Sequence, residues 1–358
     1  MEKKFERALL ICPAQYSLGN SLREILSCLA GEVKVTDIRS AISGSKMKLN
    51  SQMFRLPHYI RQRWEKYFLE YVNNMILRQV DEFNPDIVLI YNSQYLVPET
   101  CRSIRTRSRL IFFMGDSPFF TPQNNYYLSC LAHADLILSP DSYWMQQVVT
   151  LGLEKTIYFM PGVDKSSYFI INPSENRDVE EQTEILYVGS CYLNSWGFKK
   201  AMLMSNFTRF NFKLYGNSAW TRWFGFFPEL EKVFSLSGFI PQERLNRMFN
   251  KASVIPVDGN PGIINGVHLR MFEALAAGAL PLIEYRTDVD GLLFRDFEHE
   301  LPIIRDYRNA REMASYYLKN EKDRSELVSL MGAFLEKEYS HEVNAIRLTE
   351  AIHKHIQG

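Results

Sequence analysis

The sequence predicts an α/β protein made of two consecutive doubly wound domains, each with a parallel sheet covered by helices on both faces. Short, continuously apolar runs alternate with amphipathic stretches of helical period, a pattern typical of buried parallel strands joined by helices. A polar, strand-poor stretch at 172–183 interrupts this alternation, and a second series of strands follows it. The 358 residues, 46% of them hydrophobic, are enough for two cores.

The apolar runs of both halves define the predicted strands. In the first half they lie at 7–13, 32–38, 86–91, 109–114, 134–139 and 156–160, and 58–83 is predicted to be one long helix. In the second half they lie at 185–189, 212–216, 237–240, 253–257 and 279–285, and the chain is helical from Asn309 onward. In doubly wound folds ligands bind at the carboxyl ends of the strands, so we expect a site in a cleft between the two sheets.

Composition argues against a nucleic-acid partner. Lys plus Arg and Asp plus Glu both total 41, and no long block of like charge is present. The five cysteines show no C-x-x-C spacing, so buried reduced thiols are favoured over zinc or redox chemistry. The first apolar run is too short for a signal peptide, and we expect a cytoplasmic protein.

The segment 262–284 carries the strongest chemical pattern. A glycine-containing loop leads into a short helix with His268, Arg270 and Glu273, and Gly278 is predicted to end that helix before a buried strand. Free amides at a helix N-terminus suit a pyrophosphate, Arg270 adds a charge-assisted contact, and Glu273 can accept two ribose hydroxyls. The alternative is an ordinary loop and helix whose charges are solvated.

The order of several motifs extends this pattern over most of the chain. F-E-A-L-A-A-G-A-L-P-L at 272–282 is similar to the E-A-x-A-x-G-x-P motif of the large retaining glycosyltransferase group. In closer detail the sequence resembles the CgeB-like (spore maturation protein) glycosyltransferases. The motifs that carry this resemblance are F-M-G-D-S-P at 113–118, L-S-P-D-S at 138–142, L-G-L-E-K-T-I-Y-F-M-P-G-V-D at 151–164, I-L-Y-V-G-S at 185–190, K-L-Y-G at 213–216 and S-G-F-I-P-Q-E-R-L at 237–245.

The resemblance implies a GT-B fold, in which two Rossmann-like domains face a cleft. The implied domains are an acceptor domain at 1–165, a nucleotide-sugar-binding domain at 166–338 and a C-terminal helical segment at 339–358 that packs back on the first domain. The implied activity is metal-independent, hexosyltransferase-like transfer of a sugar from a nucleoside diphosphate of the UDP or GDP type, as in polysaccharide biosynthesis. The acceptor would be a hydroxyl of a glycan, a glycoprotein or a lipid-linked saccharide, and no cofactor is expected.

The resemblance also places donor-binding residues in the second domain. Ser190 would donate to a phosphate, the loop before the helix that starts at Gln242 would meet the base edge, and Glu273 would hold the ribose. The full set is Gly189, Ser190, Tyr215, Gly216, Gly238, Phe239, Ile240, Asn265, Gly266, His268, Leu269, Arg270 and Glu273, with His268 also a catalytic candidate. Retaining relatives often have a second Glu where this chain has Asn265, so the stereochemistry stays open. Lys199 and Arg222 are further phosphate candidates, although lone basic residues are usually solvated.

In the first domain the candidates are Gly19, Asn20 and Asp116. We expect Gly19 and Asn20 in the loop before the first helix, near the donor phosphates or the acceptor. Asp116 follows a predicted strand and corresponds to an acidic position of the family motif, where it would act as a base on the acceptor hydroxyl or orient that hydroxyl. The alternative for Asp116 is a helix N-cap, with Pro118 at an early helical position.

Two further interpretations concern partners and reaction class. Basic and aromatic residues alternate around the start of the long helix at 58–83, either as a helix whose charges are solvated, which we favour, or as a weak contact with the inner face of a membrane. A nucleotide-sugar epimerase or hydrolase of the same fold, and a non-catalytic sugar-nucleotide or glycan-binding protein, are the rival functions. The oligomeric state is left open.

Overall fold

The computed structural model describes residues 4–13, 17–53, 55–92, 95–119, 126–172 and 182–356. The chain divides into two compact units. The first unit comprises Met1–Pro161 together with Tyr339–Gly358, and the second unit comprises Gly162–Glu338. Most of the polar stretch predicted as a linker, residues 173–181, lies outside the described residues.

The first unit contains a six-stranded parallel sheet with the order β2-β1-β3-β4-β5-β6. Its strands are β1 Phe5–Ile11, β2 Ala30–Thr36, β3 Ile87–Tyr91, β4 Arg109–Phe113, β5 Leu136–Ser139 and β6 Thr156–Tyr158. Its helices before the second unit are α1 Ser17–Leu29, α2 Ile38–Ala41, α3 Gly44–Met53, α4 His58–Phe83, α5 Pro98–Arg105, α6 Tyr127–Leu131 and α7 Ser142–Thr150. Strands β3 and β4 and the second half of β1 are almost wholly buried, as expected for a parallel sheet covered on both faces.

The second unit repeats this plan with the strand order β12-β11-β10-β7-β8-β9, again all parallel. Its strands are β7 Thr183–Val188, β8 Phe212–Gly216, β9 Phe234–Leu236, β10 Ala252–Val257, β11 Leu280–Glu284 and β12 Ile303–Ile304. Its helices are α8 Ser195–Ser205, α9 Gln242–Asn250, α10 Arg270–Ala276, α11 Ala310–Lys319 and α12 Glu321–Tyr339. The two predicted doubly wound sheets are thus confirmed.

Some predicted elements differ in detail. Residues 237–240, predicted as a strand, form a loop. The strand at this edge of the sheet is β9, three residues earlier in the chain, and its residues pair with Leu214 to Gly216 of β8. Gly19 and Asn20 do not lie in a loop: both belong to the first turn of α1, where Gly19 packs closely against Cys12 and Pro13. A side chain at position 19 would press on those atoms at 3.1–3.2 Å, which explains a glycine inside this helix.

The motif L-S-P-D-S proves to contain a helix cap. Asp141 is fully buried and its Oδ1 accepts hydrogen bonds from the backbone amides of Tyr143 and Trp144, at 2.8 and 3.1 Å. The hydroxyl of Ser139 donates to the Asp141 carbonyl at 2.7 Å. This capping satisfies amides that the start of α7 would otherwise leave unpaired, so these residues have a structural role.

The last helix, α13 (His341–Ile356), returns to the first unit and packs against α1 and β5. Asn344 is almost completely buried, and its Nδ2 donates to the carbonyl oxygens of Met160 and Tyr339 at 3.0 and 3.1 Å. These bonds join the C-terminal helix to the end of the first chain segment. No helix in the described part of the chain is both long enough and apolar enough to cross a bilayer.

We predict that Asn344→Ala destabilises the first unit by about 1–3 kcal/mol, because it leaves the buried Met160 carbonyl without its donor. Differential scanning calorimetry provides the measurement. Ile346→Ala, on an exposed side of the same helix, is the matched control and should have a much smaller effect. Equal losses in the two variants would show that the hydrogen bonds of Asn344 do not fix α13.

Candidate functional site

Two buried carboxylates lie at the carboxyl ends of neighbouring strands in the second unit. Asp258 directly follows β10 and is 5% exposed, and Glu284 ends β11 and is 6% exposed. A buried carboxylate is stable only when cations and hydrogen-bond donors replace its hydration. The partners of these two groups therefore define the chemistry of this strand edge.

Asp258 pairs with two cations and a phenol. Tyr187 Oη donates to its Oδ1 at 2.7 Å, Lys200 Nζ lies 3.1 Å from Oδ2, and Arg270 Nη1 lies 3.4 Å from Oδ1. Burial alone would raise the pKa of Asp258, but Lys200 and Arg270 hold it below its ordinary value. Burial likewise opposes the charge of Lys200, yet Asp258 raises the lysine pKa. All three groups are therefore charged at neutral pH.

Glu284 has a similar set of partners. Lys199 forms an ion pair with its Oε1, Tyr307 Oη donates to the same oxygen at 2.6 Å, and Arg286 Nη2 donates to Oε2 at 3.1 Å. The backbone amide of Gly259 also donates to Oε2, at 2.8 Å. A Cβ at Gly259 would overlap the Arg286 guanidinium, so a glycine is needed for this close approach.

Four cations and two carboxylates thus meet at one edge of the sheet. Lys199 and Lys200 come from α8, Arg270 starts α10, and Arg286 follows β11. Lys200 is fixed further by donating to the Ser190 carbonyl at 2.8 Å. The group has an excess of positive charge and is rich in N–H donors, the combination that binds a phosphate or diphosphate. We call these six residues the cation cluster.

Gly189 and Gly216 let this part of the unit pack tightly. A Cβ on Gly189 would lie 2.8 Å from Tyr187 Oη and 3.1 Å from Arg270 Nη2. The Gly189 carbonyl accepts a hydrogen bond from Trp220 Nε1 at 2.9 Å, and Gly216 lies against the same indole. Gly189 therefore adjoins the cation cluster at Arg270, and Gly216 packs behind it against Trp220.

The predicted residues of the 262–284 segment also lie here. Gly278, with a φ of 83°, follows the end of α10 as predicted. Arg270 contributes to the cluster, and its backbone amide donates to Nδ1 of His268 at 3.1 Å. Burial and the neighbouring Arg270 lower the pKa of His268 to about 3. His268 is therefore neutral near pH 7 with its proton on Nε2, which makes it a hydrogen-bond donor rather than a proton acceptor.

Glu273 lies one turn after Arg270 and interacts with Tyr168. Burial and then the Glu273 carboxylate, which also hydrogen-bonds the phenol, raise the pKa of Tyr168. The Tyr168 ring is buried and stacked on Phe249, with ring centroids 6.1 Å apart. A rigid phenol thus faces the carboxylate that the sequence predicted to bind ribose.

A ladder of amide side chains on α9 holds the segment that carries Tyr168. Gln242, Asn246 and Asn250 occupy one face of α9, and their side-chain oxygens accept from Ser167 Oγ, Phe169 N and Ile171 N at 3.0, 3.2 and 2.7 Å. These three contacts hold residues 167–171 along one face of α9.

The remaining predicted donor residues lie in loops and at strand ends of the second unit. Gly238, Phe239 and Ile240 form the loop before α9, and the Phe239 ring is 70% exposed. Asn265 accepts at its carbonyl from the Asp288 amide at 3.0 Å, and Gly266 and Leu269 continue the loop to α10. Tyr215 and Ser190 are partly exposed at the ends of their strands. Arg222 is exposed and lies over the Trp223 ring.

In the first unit Asp116 is held by an asparagine on the neighbouring strand. Asn92 directly follows β3 and has a left-handed φ of 40°. Its Oδ1 accepts from the Gly115 amide at 2.8 Å and from Tyr127 Oη at 3.1 Å, so its Nδ2 faces Asp116 Oδ2 at 2.8 Å. The Asp116 residue as a whole is exposed, but its carboxyl group is partly shielded from water. This shielding raises the pKa of Asp116, and the hydrogen bond from Asn92 opposes that rise.

The alternative of a helix N-cap at Asp116 is wrong. Pro118 and Phe119 lie in a turn, and the Asp116 carboxylate accepts from the Asn92 amide instead. A strained, non-glycine residue whose side chain is bonded on both sides is the kind of arrangement found at functional sites. Asp116 is therefore an oriented, solvent-accessible carboxylate.

Sequence reasoning missed Tyr187, Lys200, Asp258, Glu284 and Arg286. Asp258 and Glu284 sit at the ends of apolar runs that were predicted as strands, a position that could have drawn attention to them. Within the described residues, no group of three or more His, Cys, Asp or Glu side chains is arranged to hold a metal ion.

The pKa of His268 leads to a pH prediction. Below pH 6.5 the unfolded chain takes up a proton on this residue that the folded chain does not bind until about pH 3, so stability falls as pH falls through this range. At pH 5 the loss from this residue is about 2 kcal/mol. We expect His268→Gln to show a weaker loss of stability between pH 7.5 and 5.0 than the parent, measured by thermal unfolding. Exposed His299→Gln is the control; identical pH dependence in all three proteins would contradict a neutral, half-buried His268 in the folded chain.

Comparison with solved structures reveals the same fold over nearly the whole chain. HepE of Anabaena, solved in complex with UDP and glucose, has 12% identity and a TM-score of 0.64, covering 98% of this chain and 100% of HepE. Sucrose-phosphate synthase of Thermosynechococcus elongatus has 12% identity and a TM-score of 0.62, with 98% of each chain covered. A Listeria monocytogenes protein proposed to be a UDP-N-acetylglucosamine 2-epimerase has 12% identity and a TM-score of 0.58, covering 99% of this chain and 97% of that one.

A search of the curated proteins finds no significant match. Residues 198–350 match the model of a family described as glycosyl transferase-like. This segment begins within α8 and includes Lys199, Lys200, Asp258, Arg270 and Glu273. By fold the chain is therefore a GT-B protein with two Rossmann-like units, and its residues 198–350 match the glycosyl transferase-like family.

Proposed function

We propose that the protein is a glycosyltransferase that moves a sugar from a nucleoside-diphosphate sugar to a hydroxyl acceptor. The observation that carries this proposal is the cation cluster, which lies at the carboxyl ends of β10 and β11 and shares Arg270 with the helix of Glu273. The cluster would bind the diphosphate of the donor and stabilise the charge that develops on it when the glycosidic bond breaks. Glu273 would bind the ribose.

The nucleotide is proposed to be of the UDP or GDP type, with UDP favoured. HepE, whose fold this chain shares, was solved with UDP and with UDP-glucose. The CgeB-like motifs support the same donor class, and hexosyl transfer follows from that resemblance. We propose that no metal is required, since four cationic side chains already supply the positive charge that a divalent ion would bring.

Asp116 is proposed to act on the acceptor. Its carboxylate would accept the proton of the attacking hydroxyl in an inverting transfer, or orient that hydroxyl in a retaining one. Asn92 would hold one carboxylate oxygen and leave the other for the acceptor. A glycan, a glycoprotein and a lipid-linked saccharide all present the required hydroxyl.

Substitutions of Glu273 and Lys199 should distinguish recognition of the ribose from recognition of the diphosphate. Isothermal titration with UDP, 2′-deoxy-UDP and uridine should show that Glu273→Gln removes the preference for UDP over 2′-deoxy-UDP. Lys199→Met should lower the affinity for UDP about tenfold or more, because it removes a charge-assisted contact, and should leave the affinity for uridine nearly unchanged. Exposed Lys232→Met is the matched control and should bind UDP like the parent.

The results also distinguish the proposed function from its rivals. Absence of UDP and GDP binding by the folded parent would contradict the donor site and favour a glycan-binding protein. Binding without turnover over a panel of UDP-sugars and saccharide acceptors would indicate a non-catalytic protein. Conversion of a UDP-sugar without any acceptor would indicate an epimerase or a hydrolase.

Substitutions of Asp116 and Asn92 test the proposed role of Asp116 on the acceptor. Asp116→Asn should lower turnover about 100-fold or more while donor affinity stays constant. Asn92→Ala should raise the pKa of Asp116, because it removes a hydrogen bond to the charged form, and should move the acidic limb of the pH–rate profile to higher pH.

Asn84→Ala is the matched control for Asn92→Ala, since Asn84 is the other non-glycine residue with positive φ among the described residues. It carries similar backbone strain at the C-terminus of α4. Equal effects of the two substitutions would show that strain, rather than the contact with Asp116, accounts for the change.

A further inference from the structure

Helices α3 and α4 form an antiparallel hairpin in the first unit. Trp64 Nε1 donates to Asn50 Oδ1 at 2.9 Å, and Lys46 Nζ lies 3.7 Å from the centre of the Tyr71 ring. As the numbering falls along α3 it rises along α4, so the two helices run in opposite directions. A hydrogen bond and a cation–π contact thus join the two helices.

The helix α3 buries almost nothing. Of its ten residues only Asn50 is buried, and Leu49 is 40% exposed. Most surface helices of a globular protein owe their stability to an apolar face packed on the core. The outward side of α3 therefore lacks the usual partner.

The part of the hairpin around the turn between α3 and α4 concentrates positive charge in a chain that is neutral overall. Residues 43–68 contain six Lys or Arg residues and a single acidic residue, Glu65. Lys48, Arg55, Arg63 and Lys66 are exposed. In the whole chain, by contrast, basic and acidic residues are equal in number.

Exposed apolar side chains lie among these charges. Leu56 is 40% exposed, Tyr59 is 71% exposed and Tyr67 is 53% exposed. Tyr59, Arg63 and Tyr67 are four residues apart along α4 and so share one face. Leu56 and Arg55 lie in the turn between the two helices.

We propose that the face formed by Lys48, Arg55, Leu56, Tyr59, Arg63 and Tyr67, here the hairpin face, rests on an anionic lipid surface, in place of the solvated helix that the sequence alone favours. Lysine and arginine are attracted to anionic headgroups, while tyrosine rings and a leucine gain from entering the boundary between headgroups and acyl chains. A nucleic acid would also bind the basic residues, but it would bury little of the exposed Leu56 side chain. The observations therefore favour a lipid surface over a nucleic acid. This inference goes beyond sugar transfer and does not depend on it.

The test is co-sedimentation of the full chain with large unilamellar vesicles. One set contains phosphatidylcholine alone, and the other contains 30% phosphatidylglycerol. We expect binding to the anionic vesicles only, weakened at 0.5 M NaCl because salt screens exposed charges. Arg55→Glu/Arg63→Glu should lower the partition coefficient more than tenfold, since each cation near the surface contributes about fivefold. Leu56→Ser/Tyr59→Ser should lower it with the charge unchanged.

Arg209→Glu/Lys232→Glu changes the net charge by the same amount on the second unit and is the matched control. It should bind anionic vesicles like the parent, and thermal unfolding verifies that every variant is folded. Equal loss in this control would overturn the proposal, as would an absence of binding by the parent. Failure on vesicles together with binding of a single-stranded RNA oligomer that depends on Arg55 and Arg63 would assign the face to nucleic acid instead.

Discussion

The pairing of two buried carboxylates with four cations is the interaction on which the second unit's site depends. The two carboxylates are not stable alone at this edge of the sheet, because a buried charge without a counter-charge costs several kcal/mol. Asp258 and Glu284 therefore allow Lys199, Lys200, Arg270 and Arg286 to be held at fixed positions. Since the cations outnumber the carboxylates, the cation cluster keeps a net positive charge that can attract a further anion.

Sheet topology determines where this pairing can occur. The strand order places β10 beside both β7 and β11, so residues far apart in sequence meet at adjacent strand ends. Tyr187 from β7 contacts Asp258 after β10, and Glu284 from β11 binds the backbone of Gly259. Parallel strands present all their carboxyl ends at one edge, and for this reason a polar cluster can form there without breaking the apolar core.

The same topology explains what could be predicted from the sequence. The alternation of strands and helices, the helix with Arg270 and Glu273, and its end at Gly278 are local patterns, and the structure contains them. The cluster around Asp258 and Glu284 is not local: its members become neighbours only through the strand order, which periodicity does not reveal. Gly19 was placed in a loop because glycine usually marks one, whereas contact with Cys12 and Pro13 selects it inside a helix.

The two units use equivalent positions for opposite chemistry. In the first unit Asn92 and Asp116 follow the adjacent strands β3 and β4, and a neutral amide orients a carboxylate that can take up a proton. In the second unit Asp258 and Glu284 end the adjacent strands β10 and β11, and the carboxylates orient cations that can accept an anion. Sugar transfer to a hydroxyl needs both capacities, since the acceptor loses a proton while the departing diphosphate gains charge. A protein that only bound nucleotides would need the second capacity alone, so Asp116, oriented by Asn92 at its positive φ, is the feature that distinguishes the proposed transfer from nucleotide binding.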